Sequence, residues 1–239
     1  MSSQDSKTNN EDTINLVKKF IASNQRKRRN LVNDIELSAE SLYKVGEDVI
    51  KYVEREGDDW SIGWVLQVLK KYKPNFFEKD IYNNWFFTNS AIDLNYNDLQ
   101  LNLLNQDFEE ADRLTSAYLR KLAGKVAENR GYVFYSEVKN MPGEDLDTID
   151  RLWKIYSQGK FGFSNQAKIL KSVGKRYDLL WPKIGWKKDG IWTRYPSSFC
   201  WSLKAPEGHM PLVNQLRGVR LMDSILRHPS IAKRHENCL

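Results

Sequence analysis

Cysteine is nearly absent from this chain. Of 239 residues only Cys200 and Cys238 carry thiols, and the second lies beside the carboxyl end. A disulfide framework is therefore excluded and a reducing compartment fits best, with Cys200 beside Trp201 read as a packing residue. Long apolar runs are missing as well: no stretch approaches the roughly 18 residues that a membrane-spanning helix requires. The start, Met1 to Asp12, is polar and carries early acids, unlike a signal or transit peptide, so a soluble and unprocessed protein is expected. Histidine is scarce too. His209, His228 and His235 have no metal-ligand spacing with either cysteine, and no nucleophile elbow, zincin or phosphate-loop pattern occurs. Glu144, Asp145 and Asp147 cluster around a helix start, where interaction with the helix dipole is a better reading than acid catalysis or metal binding. No catalytic residue and no metal site is expected, which disfavours an enzyme. Two-residue alternation is confined to Gly131–Val138, so the fold class is all-α.

What is present is basic and aromatic. Lysine and arginine number 37 against 31 acids, a net charge of +6 with a pI near 9.1. That excess attracts any anion and chooses among none. Eight tryptophans within an aromatic content of 12% supply rigid, flat contact area for packing or for planar ligands, and at least half of them are read as core.

Along the chain, residues 1–12 are read as a disordered tail, 13–90 as an N-terminal helical bundle and 91–239 as a second helical domain with long loops. Asp12 or Thr13 is expected to cap a helix carrying Ile14, Val17, Phe20 and Ile21, and Arg26–Arg29 to form a solvated basic turn. Trp60, Trp64, Val65, Val68, Leu69 and Tyr72 mark an amphipathic helix ended by Pro74. In the second domain Asp107 caps a helix bearing Ala111, Leu114, Tyr118, Leu119 and Leu122. A further helix follows Pro142, and Ser164 is expected to cap one over 165–173.

The functional signal lies in the last third. Trp181 to Trp186, Ile191 to Tyr195, Ala205 to His209 and Asn214 to Arg220 follow one another with almost no acids between them. Arg217, Arg220 and Arg227 share one helix face at three- and seven-residue offsets, opposite Leu212, Leu216, Val219 and Leu226. An aromatic floor, a mobile apolar lid over 205–210 and a cationic edge can take a macrocycle's face by burial and its carboxylates by guanidinium contacts.

The runs Asp145 to Trp153, Tyr156 to Ser164, Leu180 to Trp186, Ala205 to His209 and Asn214 to Arg220 together resemble the Genomes Uncoupled Four family. The resemblance covers roughly residues 93–229, and the N-terminal helices are similar to the extra bundle of cyanobacterial members. It implies a helical, hand-shaped core binding protoporphyrin IX and Mg-protoporphyrin IX, and stimulation of magnesium chelatase together with its H subunit in chlorophyll biosynthesis. Such a protein is regulatory, works in a cyanobacterial cytoplasm or plastid stroma, and can associate peripherally with thylakoids. Carried over by resemblance, the porphyrin-binding residues are Arg194, Tyr195, Phe199, Trp201, Met210, Pro211, Leu212, Arg217 and Arg220. Tyr195 stands where tryptophan is common in the family and Ser116 where a basic residue occurs, while Asp107, Phe108, Asp112 and Thr115 are read as packing and capping. His209 in the lid is read as a hydrogen-bonding surface residue rather than an axial ligand. Two other readings stay open: a nucleic-acid-binding helical module using Arg26–Arg29 and the arginine ridge, and a sensor of linear tetrapyrroles (bilins).

Overall fold

The computed structural model describes residues 3–50, 54–73, 86–212 and 219–236. The fold is all-α apart from one short hairpin, and the chain divides into two compact units, Met1–Phe87 and Thr88–Leu239.

The first unit contains α1 (Ser3–Ala22), α2 (Gln25–Leu37), α3 (Ala39–Lys44), α4 (Gly46–Ile50) and α5 (Trp60–Tyr72). Helix α1 begins at Ser3, not at Asp12 or Thr13, so residues 3–12 of the segment expected as a disordered tail are helical. No glycine or proline occurs among its twenty residues, so nothing in them interrupts a helix once it is nucleated. Asn24 caps α2 by accepting from the Lys27 N–H, and Asp59 caps α5 by accepting from the Ser61 N–H. The basic run 26–29 belongs to α2 rather than to a turn. Its Arg28 grips Asp59 through both guanidinium nitrogens at 2.6 and 2.7 Å and lies over the Trp60 ring, so that charge is spent inside the unit. Helix α5 is not amphipathic: every residue from Trp60 to Leu69 is buried, with Val17, Phe20, Ile35 and Leu42 completing the core. The stop expected at Pro74 lies outside the described residues.

The second unit is built around α9 (Gly143–Ile155), whose Leu146, Ile149, Leu152, Trp153 and Ile155 are wholly buried. The unit also contains α6 (Asn97–Leu104), α7 (Phe108–Leu122), α8 (Lys125–Arg130), α10 (Phe163–Ser172) and α11 (Tyr177–Lys183). After a hairpin of β1 (Lys187–Lys188) and β2 (Ile191–Trp192), α12 (Arg220–Leu226) and α13 (Pro229–Glu236) close the chain. Asp107 caps α7 by accepting from the Glu110 N–H at 3.2 Å, as its sequence position predicts. The Trp153 indole stacks on Phe108 and donates to Thr115 Oγ1 at 2.9 Å, which locks α7 to α9. Asp145 serves as a buried acceptor for Tyr96 Oη, Ser90 Oγ and the Ala91 N–H, more than a partner for the helix dipole. Asp147 and the buried Asp150 bind Arg234 on α13, both at 2.8 Å.

Two local expectations are corrected. Residues 131–138 are not extended, because a 3-10 turn spans Tyr135–Asn140, pinned where Glu137 accepts from Arg130 and from the Phe134 N–H. Ser164 does not cap α10. The helix starts one residue earlier behind Gly162, and the acceptor for the Ser164 N–H is Asp150 Oδ1 at 2.8 Å.

Candidate functional site

The site grows from the chain between α11 and Leu212. Trp181, at the end of α11, stacks on Trp186 with ring centroids 5.5 Å apart and planes 9° apart, and Trp192 of β2 tilts against it at 5.6 Å. The β1–β2 hairpin turns through Asp189 and Gly190, both at positive φ, as a two-residue hairpin loop requires. Thr193 then donates from its N–H to Trp186 O and from its hydroxyl to Gly185 O. These contacts aim the next residues, Arg194 and Tyr195, outward.

Beneath them stands His209. It is 2% exposed, so it is no surface residue. Its Nδ1 lies 2.6 Å from Ile184 O and its Nε2 accepts from the Cys200 N–H at 3.3 Å, an arrangement that demands the neutral ring with the proton on Nδ1. Burial also lowers its pKa, the Ile184 contact opposing in part. With both nitrogens engaged, neither is available to a metal. The Trp186 indole donates to His209 O at 2.8 Å, and Phe199 packs on the imidazole at 4.9 Å. One histidine thus ties together three separate segments.

Above this post sits an aromatic cluster. Tyr195, Phe199 and Trp201 form a closed triangle with centroids 5.5 to 5.8 Å apart, Phe199 and Trp201 stacked and Tyr195 edge-on to both. Exposure grades across it. Phe199 is 8% exposed, Trp201 half-buried and Tyr195 47% exposed, so the triangle turns one flat side to solvent. The Trp201 indole is oriented by donation to Pro196 O at 3.1 Å.

The segment expected as a mobile lid is a strapped floor. Lys160 Nζ donates to Leu203 O and Ala205 O at 2.5 and 2.7 Å, and the Gly208 N–H donates to Lys160 O. The buried amide of Gln166 donates to Gly208 O and Pro211 O, and Met210 O accepts from the Gly162 N–H. Met210 is fully buried and Pro211 is buried, so both support the surface rather than line it. Leu212 is half-buried, and its N–H donates to Asp112 Oδ1 at 2.5 Å.

Among the expected residues, therefore, Tyr195, Phe199, Trp201 and Leu212 stand on one framework. Arg194 is exposed with no described side-chain partner. Arg220 opens α12, and its guanidinium lies 5.5 Å over the Tyr135 ring; no described contact joins it to the aromatic triangle. Arg217 lies outside the described residues. Arg227, expected on the same ridge, is bound to Asp223 at 2.8 Å, the acceptor also used by Tyr177 Oη. Cys200, expected to pack, is exposed, with Sγ 3.3 Å from Ser202 Oγ. A surface cavity of about 320 Å³ opens elsewhere, between Lys168, Ile169 and Ser172 of α10, Lys183 and Glu207, and includes none of the expected residues. Among the described residues no three His, Cys, Asp or Glu side chains are grouped to hold a metal ion, and no helix is long and apolar enough to cross a membrane.

Two residues that organise this site were not recognised for it in the sequence. Asp112, read as packing, sends Oδ2 to Tyr195 Oη at 3.2 Å and Oδ1 to the Leu212 N–H, while 2% exposed. Burial, with Glu109 adding a little, pushes its carboxyl up to about 7 against the pull of these two donors. Gln166 had no signal beyond its place on α10. Asp112 had one: it falls on the apolar stripe of Phe108, Ala111, Thr115 and Leu119, where a carboxylate needs buried donors to be tolerated.

A GUN4-like family model matches residues 89–229. A Ycf53-like protein of Synechocystis sp. is 43% identical over 183 residues, 75% of this chain and 78% of the relative. A protein of Arabidopsis thaliana named tetrapyrrole-binding protein, chloroplastic, is 40% identical over 148 residues, 58% of this chain and 56% of its own length. Among solved structures, GUN4 from Chlamydomonas reinhardtii aligns with a TM-score of 0.58 at 37% identity, covering 64% of this chain and 99% of that one.

Proposed function

The chain belongs to the GUN4-like family, and from that premise we propose that it binds tetrapyrroles on the face formed by Tyr195, Phe199, Trp201 and Leu212. The observation that carries this reading is the aromatic triangle, which keeps flat surface open to solvent although its base is fixed by buried hydrogen bonds. The rings stabilise one another by their mutual contacts, and a planar ligand finds a preorganised surface on the side left exposed. The name of the Arabidopsis relative supports the same ligand class.

Protoporphyrin IX and Mg-protoporphyrin IX are the proposed ligands. Covering a few hundred Å² of apolar area at about 25 cal/mol per Å² gives roughly 5–10 kcal/mol gross, from which the entropy of association is subtracted. Arg194 reaches a propionate as an exposed cation, worth about 0.2–1 kcal/mol, so it orients the ring more than it holds it. Arg217 and Arg220 are proposed as further propionate partners, with the buried Met210 and Pro211 supporting the half-buried Leu212. His209, with both ring nitrogens engaged, would not serve as a ligand to a porphyrin-bound magnesium. No bond is made or broken in the proposed role. The protein presents or receives the pigment and stimulates magnesium chelatase through its H subunit, in a cyanobacterial cytoplasm or plastid stroma, with peripheral thylakoid association an added proposal.

The test is an absorption and tryptophan-emission titration with protoporphyrin IX, joined to a magnesium chelatase assay with and without the protein. Saturable binding and a faster chelatase support the reading. Binding without stimulation removes the regulatory part, and absence of both removes the whole. Nucleic-acid binding is the weaker reading, because Arg28 and Arg227 are committed to Asp59 and Asp223.

A further inference from the structure

We propose that Asp112 is a positioning residue for this face: by accepting from Tyr195 Oη and the Leu212 N–H together, it holds the aromatic triangle and the chain entering residues 213–218 against α7. The inference rests on the tetrapyrrole reading above and deepens it.

The two partners lie 83 and 100 residues away in sequence, and both belong to the ligand face. Asp112 itself is closed to solvent while the ring it holds is 47% exposed, so it acts on any ligand only through Tyr195 and Leu212. The charged and titratable groups that act on the pair are Glu109 and Arg113 on α7 and the Tyr195 phenol itself. Among the described residues no cation is bonded to Asp112, and Arg113 is turned to Glu110. The carboxylate is therefore held by two neutral donors, and its protonation state sets how firmly it holds them. Ionised, it accepts both bonds in their charge-assisted form, about twice as strong as neutral ones. Protonated, one oxygen becomes a donor and the paired acceptance is lost. With its carboxyl pushed up to about 7, this change falls in the ordinary working range.

The experiment is a set of protoporphyrin IX titrations of the full chain between about pH 6 and about pH 8.5, read by tryptophan quenching, with circular dichroism to confirm the fold. Wild type is expected to bind about fivefold more tightly at the alkaline end. Asp112→Asn keeps the size, an acceptor for Leu212 and a donor for Tyr195 Oη but does not titrate, so its profile should be flat. Tyr195→Phe keeps the ring and removes a donor that favours the ionised acid, so its midpoint should move to higher pH. A merely structural aspartate would shift neither profile. A pH profile in Asp112→Asn matching wild type overturns the proposal, as does an unmoved midpoint in Tyr195→Phe. Should wild type bind no porphyrin at any pH, the tetrapyrrole reading fails instead. The positioning role is then decided by tryptophan emission of the unliganded protein: a transition near neutrality absent from Asp112→Asn supports it, and identical curves overturn it.

Discussion

At the scale of single residues, the proposed ligand face depends on buried groups. Gly208 is one. Its φ of +76° strains any L side chain, and a Cβ would lie 2.7 Å from Ile169 Cδ1 and 3.0 Å from Ile184 Cγ2, so those side chains would have to shift. Gly208→Ala should cost about 2–4 kcal/mol through backbone strain and overpacking, measured by urea melts of the two proteins. His209 is another, and its titration has a definite sign. Its folded pKa lies below the unfolded value of about 6.5, so protonation favours the unfolded chain and stability is lost as pH falls below that value. His228, lowered by its own burial, contributes in the same direction. The raised Asp112 works oppositely: its contribution is whole below about 4 and lost as pH climbs toward about 7. Between about pH 6.5 and about pH 5, where Asp112 opposes the histidines, the Tm of wild type should therefore fall relative to that of His209→Asn in thermal melts. Parallel Tm profiles would remove His209 as a source of acid sensitivity.

At the scale of elements, helix identity was legible where local chemistry decides it and illegible where burial does. The cap at Asp107 and the stripe of α7 are read directly from spacing, because both depend on residues within one turn or two. Helix α5 reads as amphipathic from the spacing of Trp60, Trp64, Val65, Val68, Leu69 and Tyr72, but the packing of the first unit buries Ser61 and Gln67 as well. The supposed lid misled for the same reason. Its prolines and glycine suggest a loop, which it is, but the straps come from Lys160 and Gln166 some forty residues earlier. Asp112 reads as a packing or capping residue, since its partners across 83 and 100 residues are invisible to periodicity. One consequence is specific to α10. Gln166→Leu removes the donor to two buried carbonyls and should cost about 1–3 kcal/mol, with faster hydrogen exchange at the Gly208 N–H; unchanged exchange would show that Lys160 alone holds the floor.

At the scale of the whole molecule, the division at residue 88 puts every described residue of the proposed ligand face in the second unit. The family match at 89–229 falls almost entirely within that unit. We propose that residues 88–239 fold alone and carry the full binding activity. Expressed by itself, this segment should melt cooperatively and bind protoporphyrin IX within about twofold of the full chain. A tenfold loss would assign part of the site to the first unit. The direct measurement is the protoporphyrin IX dissociation constant of Tyr195→Ala/Trp201→Ala in a chain whose circular dichroism is unchanged. Truncating two central aromatic anchors should weaken binding by more than about tenfold. A folded double variant that binds as tightly as wild type would contradict the assignment of the aromatic triangle as the tetrapyrrole face.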